Sequence, residues 1–308
     1  METKNYVFLF VLSTASILFA FSVGRLLSFL NYAKSENRLN DIGARFWQTM
    51  TVGIAQTKML RDASAGVIHA GIFWGFLILL TAAVESVLEG LHPSLNLNFL
   101  GPLYSLTTIL VDVFCLLVVL GTLMSLWRRY VVKVKRLQVE GEKVEAALIL
   151  LVIFSIVGSL LMQNSIRVAS GVDYEWAVRP ISTILGSSLS GLDDSVLHIG
   201  HELFWWMHIL LIFGFTNFLP YSKHLHVLTS LPNVFFSNIG FPNTLEKIDF
   251  DDETNVKYGV VDIEDFSWKT LLDGYTCTHC GRCTSVCPAN QTGKILDPRE
   301  IIVQIHHR

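Results

Sequence analysis

Long apolar runs separated by short polar intervals dominate the chain from its start to about residue 220. Crossing the hydrocarbon core of a bilayer takes about 20 apolar residues. Five runs reach that length, at 6–30, 67–90, 103–127, 145–167 and 200–220. Each predicts a helix, because a backbone in lipid must satisfy its own hydrogen bonds. The first run exceeds the apolar region of a signal peptide and shows no cleavage pattern before Arg25, so it is expected to stay as a helix. The fold class is therefore predicted as an all-α membrane protein, a five-helix transmembrane bundle with a small polar segment after it.

Charge gives this bundle an expected direction. The loop 31–66 carries Lys34, Arg38, Arg45, Lys58 and Arg61, and the loop 128–144 carries Arg128, Arg129, Lys133, Lys135, Arg136 and Lys143. The opposite side has only Lys4, Arg167 and Arg179. Basic loops stay on the cytoplasmic side. The N-terminus is then outside, and 221–308 lies at the cytoplasmic face of the cell's inner membrane. Composition agrees with a lipid setting: 51% of residues are apolar and 16% charged, with a mean hydropathy of +0.48. A net charge of -3 on so long a chain says nothing about nucleic acid, and no basic nucleic-acid-binding segment is present, so nucleic acid is not expected as a partner.

Four of the five cysteines fall in one run, Cys277-Thr-His-Cys280-Gly-Arg-Cys283-Thr-Ser-Val-Cys287-Pro288. This is the spacing C-x₂-C-x₂-C-x₃-C-P of bacterial ferredoxins, which lets thiolates wrap a 4Fe-4S cluster. Gly281 lets the backbone approach the sulfides, and His279 is read as a loop residue. Structural zinc, the alternative, usually takes two separated pairs of ligands. In two-cluster ferredoxins the fourth cysteine serves the other cluster. Cys287 thus either completes a lone cluster or pairs with ligands outside these residues, and the chain reads as the membrane-proximal part of a longer protein. The acidic stretch within 243–266 (Glu246, Asp249, Asp251, Asp252, Glu253) lacks helical periodicity. The expected organisation is a membrane domain over 1–226, a linker over 227–266 and an incomplete ferredoxin-type segment over 267–308. Cys115, alone in the third run, is read as a small core residue.

Histidines in lipid are costly, and two on facing helices can hold a heme iron from both sides. His69 lies near the cytoplasmic start of the second run, His208 inside the fifth, and His224 and His226 just beyond its end at Pro220. At 1.5 Å per residue, equal depth pairs His69 with His226 or His224 rather than with His208. Lys223 has the charge and reach to meet a heme propionate.

The stretch His208-x₁₁-Pro220-Tyr-Ser-Lys223-His-Leu-His226 resembles the fifth helix of the respiratory nitrate reductase gamma subunit, and His69-Ala-Gly-Ile resembles its second. The resemblance covers roughly residues 1–230. With the cysteine motif added, the chain is similar to membrane-bound heterodisulfide-reductase-like Fe–S oxidoreductases, some of which link electron-transfer flavoprotein to menaquinone. The resemblance implies heme b held by His69 and His226. It implies a second heme at His208, but the gamma-subunit histidine ten positions after His69 is here Leu79. A second-ranked alignment pairs His69 with His208 and places Met59 opposite His226. The implied partners are the lipid bilayer, menaquinone and a soluble redox protein such as electron-transfer flavoprotein or a cysteine-rich Fe–S subunit.

Several polar groups within the runs have two readings. Asp112 and Glu85 serve a proton path or a quinone hydrogen bond, or are carboxyls bonded between helices. His198, His201 and Glu202, beside Trp205 and Trp206, border a quinone pocket, or the tryptophans are interfacial anchors. The predicted function is membrane electron transfer between a quinone and a soluble partner through heme b and a 4Fe-4S cluster. The competing reading is a heme-free anchor that docks a soluble iron–sulfur enzyme.

Overall fold

A computed structural model describes residues 3–139, 142–172, 178–240, 251 and 259–307. Its helices, in chain order, are α1 (Thr3–Leu30), α2 (Ile42–Gln48), α3 (Ala63–Leu91), α4 (Pro102–Tyr130), α5 (Glu142–Ala169), α6 (Pro180–Ser187), α7 (Asp194–Phe218), α8 (His226–Phe235), α9 (Trp268–Thr276), α10 (Arg282–Val286), α11 (Pro288–Gln291) and α12 (Pro298–His307). The five predicted runs correspond to α1, α3, α4, α5 and α7, which are long and apolar enough to cross a membrane. Among the described residues there is no named strand, and the fold is an all-α membrane bundle.

Helix ends follow local chemistry. Asp62 caps α3 by accepting the Ala65 N–H, and Pro102 and Pro180 open α4 and α6, where a missing N–H costs nothing. Most of the acidic stretch, including Glu246, Asp249, Asp252 and Glu253, lies outside the described residues. The stretch 227–266, expected as a linker, contains most of α8 and the short turn Ile263–Asp265 capped by Asp262.

The chain forms two compact units: Met1–Leu18 with Met59–Asn217, and Phe19–Lys58 with Phe218–Arg308. In the first, α3, α4 and α5 enclose Ala82, Val111, Cys115, Val118, Val157, Leu160 and Leu161. Cys115 is fully buried there, as expected of a small core residue. A second core joins Phe8 to Trp205 and Ile209. Lipid gives helices no hydrophobic reason to associate, so close packing must do it. A Cβ on Gly75 would collide with Val118, and one on Gly90 would lie 2.7 Å from the Phe8 ring.

In the second unit the cysteine segment is joined to the chain that leaves α1. Lys34 N–H donates to the Phe266 carbonyl (2.8 Å), and Trp268 N–H donates to that of Lys34 (3.1 Å). The Trp268 indole donates to the Glu36 carbonyl at 2.8 Å. The Tyr275 hydroxyl reaches the Leu26 carbonyl at 3.2 Å. Arg45, only 2% exposed, donates to the carbonyls of Phe235 (3.0 Å) and Ser237 (2.8 Å), satisfying the C-terminal end of α8. A residue counted as loop charge is thus a buried structural donor.

Candidate functional site

The cysteine segment is a series of turns shaped by its own residues. Cys277 ends α9, and Cys287 ends α10 and precedes α11, whose first residue is Pro288. Between them the backbone turns left-handed at His279 (φ 54°) and at Gly281 (φ 68°). Glycine enters that region without strain, so Gly281 allows α10 to start two residues after Cys280. The Thr284 hydroxyl, between two of the cysteines, hydrogen-bonds Asp297. Asp297 in turn accepts the N–H groups of Arg299 (2.9 Å) and Glu300 (3.3 Å) at the start of α12. Burial alone would raise the Asp297 pKa, but these hydrogen bonds and Arg299 outweigh it and hold the carboxyl below its ordinary value.

All five cysteines are thiols outside any disulfide; Cys280 and Cys283 are exposed, and Cys277 and Cys287 half-buried. Among the described residues no group of three or more His, Cys, Asp or Glu side chains is gathered tightly enough to hold a metal ion. Thiolates repel one another until a cation draws them together, so metal binding and closure of such a loop are coupled. The donor set, four thiols on one segment with left-handed turns at His279 and Gly281, fits an iron–sulfur cluster.

The histidines divide between the units. His208 sits in α7 of the first unit and is 3% exposed. Its Nδ1 faces the Ile156 carbonyl at 2.8 Å, with Ser159 Oγ at 3.4 Å. Its Nε2 is buried with no hydrogen-bond partner among the described residues. A ring fixed through Nδ1 and open at Nε2 is the arrangement a metal-binding imidazole requires. His69, half-buried, lies in the second turn of α3 in the same unit. Leu79, ten positions on, packs against the apolar core of α3, α4 and α5.

His224 and His226 belong to the second unit, where Ser222 Oγ accepts the His224 N–H. Their rings meet edge to face at 5.2 Å. His226 Nδ1 faces the Lys223 carbonyl at 3.1 Å, again leaving Nε2 as the donor atom for a metal. Burial lowers the His226 pKa, against the opposing effect of the Lys223 carbonyl. Lys223 and its ammonium stand in the same turn.

One pair of alternatives is decided and one sequence reading changes. Asp112, fully buried in α4, accepts the Ile181 N–H (2.6 Å), the Ser182 N–H (3.2 Å) and the Ser182 hydroxyl. It caps α6 from a neighbouring helix, so the interhelical reading of this carboxyl holds. Trp205 is 2% exposed, packed on Phe8 at 5.7 Å, and is a core residue rather than an interfacial anchor. Lys4 lies over its ring at 4.1 Å and pairs with Glu202 at 2.6 Å. Glu85, by contrast, lines a polar cavity between α3, α4 and α5 together with Tyr104, Gln163 and Arg179. Tyr104 and Gln163 escaped the sequence reading, and Arg179 entered it only as a loop charge; Gln163-Asn164 inside an apolar run was the available signal.

The chain is 33% identical over 300 residues to the "Probable iron-sulfur-binding oxidoreductase FadF" of Bacillus subtilis, covering 97% of this chain and 42% of that protein. It is 31% identical over 299 residues to the "EtfAB:quinone oxidoreductase" of Syntrophomonas wolfei, covering 93% of this chain and 41% of the relative. Over 58 residues, 19% of this chain and 8% of the other, it is 40% identical to a "Probable membrane-anchored ferredoxin" of Chromohalobacter salexigens. The chain thus spans less than half the length of the first two relatives. No protein-family model matches it, and no solved structure does.

Proposed function

We propose that this chain is the membrane-proximal electron-transfer part of a quinone-linked iron–sulfur oxidoreductase. The observation that carries the reading is the ferredoxin-spaced run Cys277, Cys280, Cys283, Cys287, on a left-handed loop that follows five apolar helices. Relatives named as an iron–sulfur-binding oxidoreductase and as a quinone oxidoreductase support it over nearly the whole chain. In this reading the four cysteines hold a 4Fe-4S cluster at the cytoplasmic face, a side that the charge of the basic loops favours.

Heme b is assigned to His69 and His226, with Lys223 turned to a propionate. His208 offers an open Nε2 to a second iron from one side only, because the position of its expected partner is Leu79 in the apolar core. A bound heme and cluster supply one-electron steps; the chain's own work is to present neutral imidazoles and thiolates and to exclude water around them. The quinone is menaquinone, and the soluble partner is an electron-transfer flavoprotein or a cysteine-rich Fe–S subunit.

Visible and EPR spectra of the purified membrane protein test this. Dithionite-reduced protein is expected to show a b-type α band and a cluster signal. His69→Ala should remove the low-spin heme and leave the cluster signal, and Cys283→Ser should do the reverse. Protein with a cluster and no extractable heme would favour the heme-free anchor instead.

A further inference from the structure

The cavity in the first unit is lined by Glu85 and Glu89 from α3, Tyr104 from α4, Gln163 and Arg167 from α5, and Arg179 just before α6. Its charges cancel: two acids face two guanidinium groups. Arg167 is bound to Glu89 at 3.2 Å, and the Tyr104 hydroxyl interacts with the Glu85 carboxylate. Gln163 is 3% exposed, and its Oε1 is buried with no hydrogen-bond partner among the described residues. Leaving such an acceptor unmet inside a bundle is costly, so the cavity calls for a molecule that brings an O–H or N–H.

The chemistry of the lining restricts that molecule. A neutral set of charges selects a neutral ligand, and the position among membrane helices selects one that travels in lipid. Gln163 supplies an acceptor and an amide donor, Tyr104 a hydroxyl, and Glu85 a carboxylate within reach of that hydroxyl. A hydroquinone donates through its O–H groups, and the quinone accepts through its carbonyls, so the pair can be held in both states by these groups. We propose that this cavity is the headgroup site for the quinone, with Gln163 and Tyr104 holding the ring oxygens and Glu85 acting as the proton acceptor. The inference rests on the quinone-linked reading above and adds its place. Oxidation breaks two O–H bonds and releases two protons and two electrons. Glu85 takes the protons one at a time, releasing the first before the second arrives, and the electrons leave singly to the iron-containing centres proposed above. Reduction of the quinone runs the same steps backwards.

The test uses the full chain in lipid nanodiscs with a photoreactive azido-naphthoquinone, and peptide mapping after illumination. Label is expected on the segments around Glu85, Tyr104 and Gln163. Gln163→Leu, which keeps the side-chain size and removes the polar atoms, should weaken labelling about tenfold, as loss of one hydrogen bond to a bound ligand predicts. Tyr104→Phe should raise the half-saturating concentration of menadiol for reduction of the protein, with helix content and iron content unchanged. Label confined to α1 or α7, or variants that label and react like the parent, would overturn the placement while the quinone-linked reading stood. A parent chain that neither takes label nor accepts electrons from menadiol would overturn both.

Discussion

Asp112→Ala removes the acceptor for the first turn of α6, and its cost can be worked from the hydrogen bonds it breaks. The carboxylate is fully buried and receives two backbone N–H groups, of Ile181 and Ser182, and the Ser182 hydroxyl. α6 has eight residues, too few to hold itself together in isolation. Each orphaned N–H costs about 1–3 kcal/mol, and removal of a buried charge offsets part of the sum. A net loss of about 3 kcal/mol follows, which is a fall in Tm of roughly 6–12 °C for a unit of this size. Asp112→Asn keeps one acceptor oxygen and should lose about half as much. Thermal unfolding in detergent followed by near-UV circular dichroism reads the loss, and amide exchange at Ile181 and Ser182 shows where it falls. Asp112→Ala with unchanged Tm and unchanged protection at those amides would refute the capping role. Asp112→Asn with normal Tm and lost proton uptake would return the residue to a proton path.

The remaining expectations concern packing, pH and ligation. Gly90→Ala drives a methyl group to 2.7 Å from the Phe8 ring, which is itself fully buried, and should destabilise by about 1–3 kcal/mol. Gly158→Ala meets nothing within 4 Å and should be neutral or slightly stabilising in the same melting assay. The Arg136 guanidinium, with the Ala65 N–H, lowers the Asp62 pKa from 3.8 to about 2. Its stabilising contribution is therefore full above pH 3.8 and is lost as the pH falls through about 2. Asp62→Asn should flatten the acid-unfolding curve across that window, modestly because the pair is partly solvated; an unaltered curve would deny the pair any role. His208→Ala should leave the low-spin heme spectrum of His69 and His226 intact, and its loss would move the ligand assignment to His208.

Much of the bundle was legible because lipid imposes a simple rule. An apolar run of sufficient length must be a helix, and α1, α3, α4, α5 and α7 follow the five runs within a few residues. The cysteine run was legible for a similar reason, since cluster ligation fixes spacing. What depends on a distant partner was not. Arg45 looked like one more loop cation until α8 brought the Phe235 and Ser237 carbonyls to it. Asp112 had two readings of equal merit, and only the arrival of α6 decided between them. Trp205 followed the rule for interfacial aromatics, yet Phe8 covers it. Gln163 carries no charge and so drew no attention, although its unmet oxygen marks the cavity.

The pair of hydrogen bonds between Lys34 and the Phe266–Trp268 turn has a bearing on how the protein is made. Lys34 follows the first span, and Ser267, which bridges to it, is 233 positions later (267 minus 34). At about 5–20 residues per second, ribosomes need roughly 10–50 s to synthesise that interval. Through all of it, the stretch after α1 waits with its backbone groups open to water while four further spans enter the membrane. The first loop to emerge is thus closed by a segment translated only after all five spans. The four motif cysteines follow Trp268 in the chain, so they too are made only after this interval.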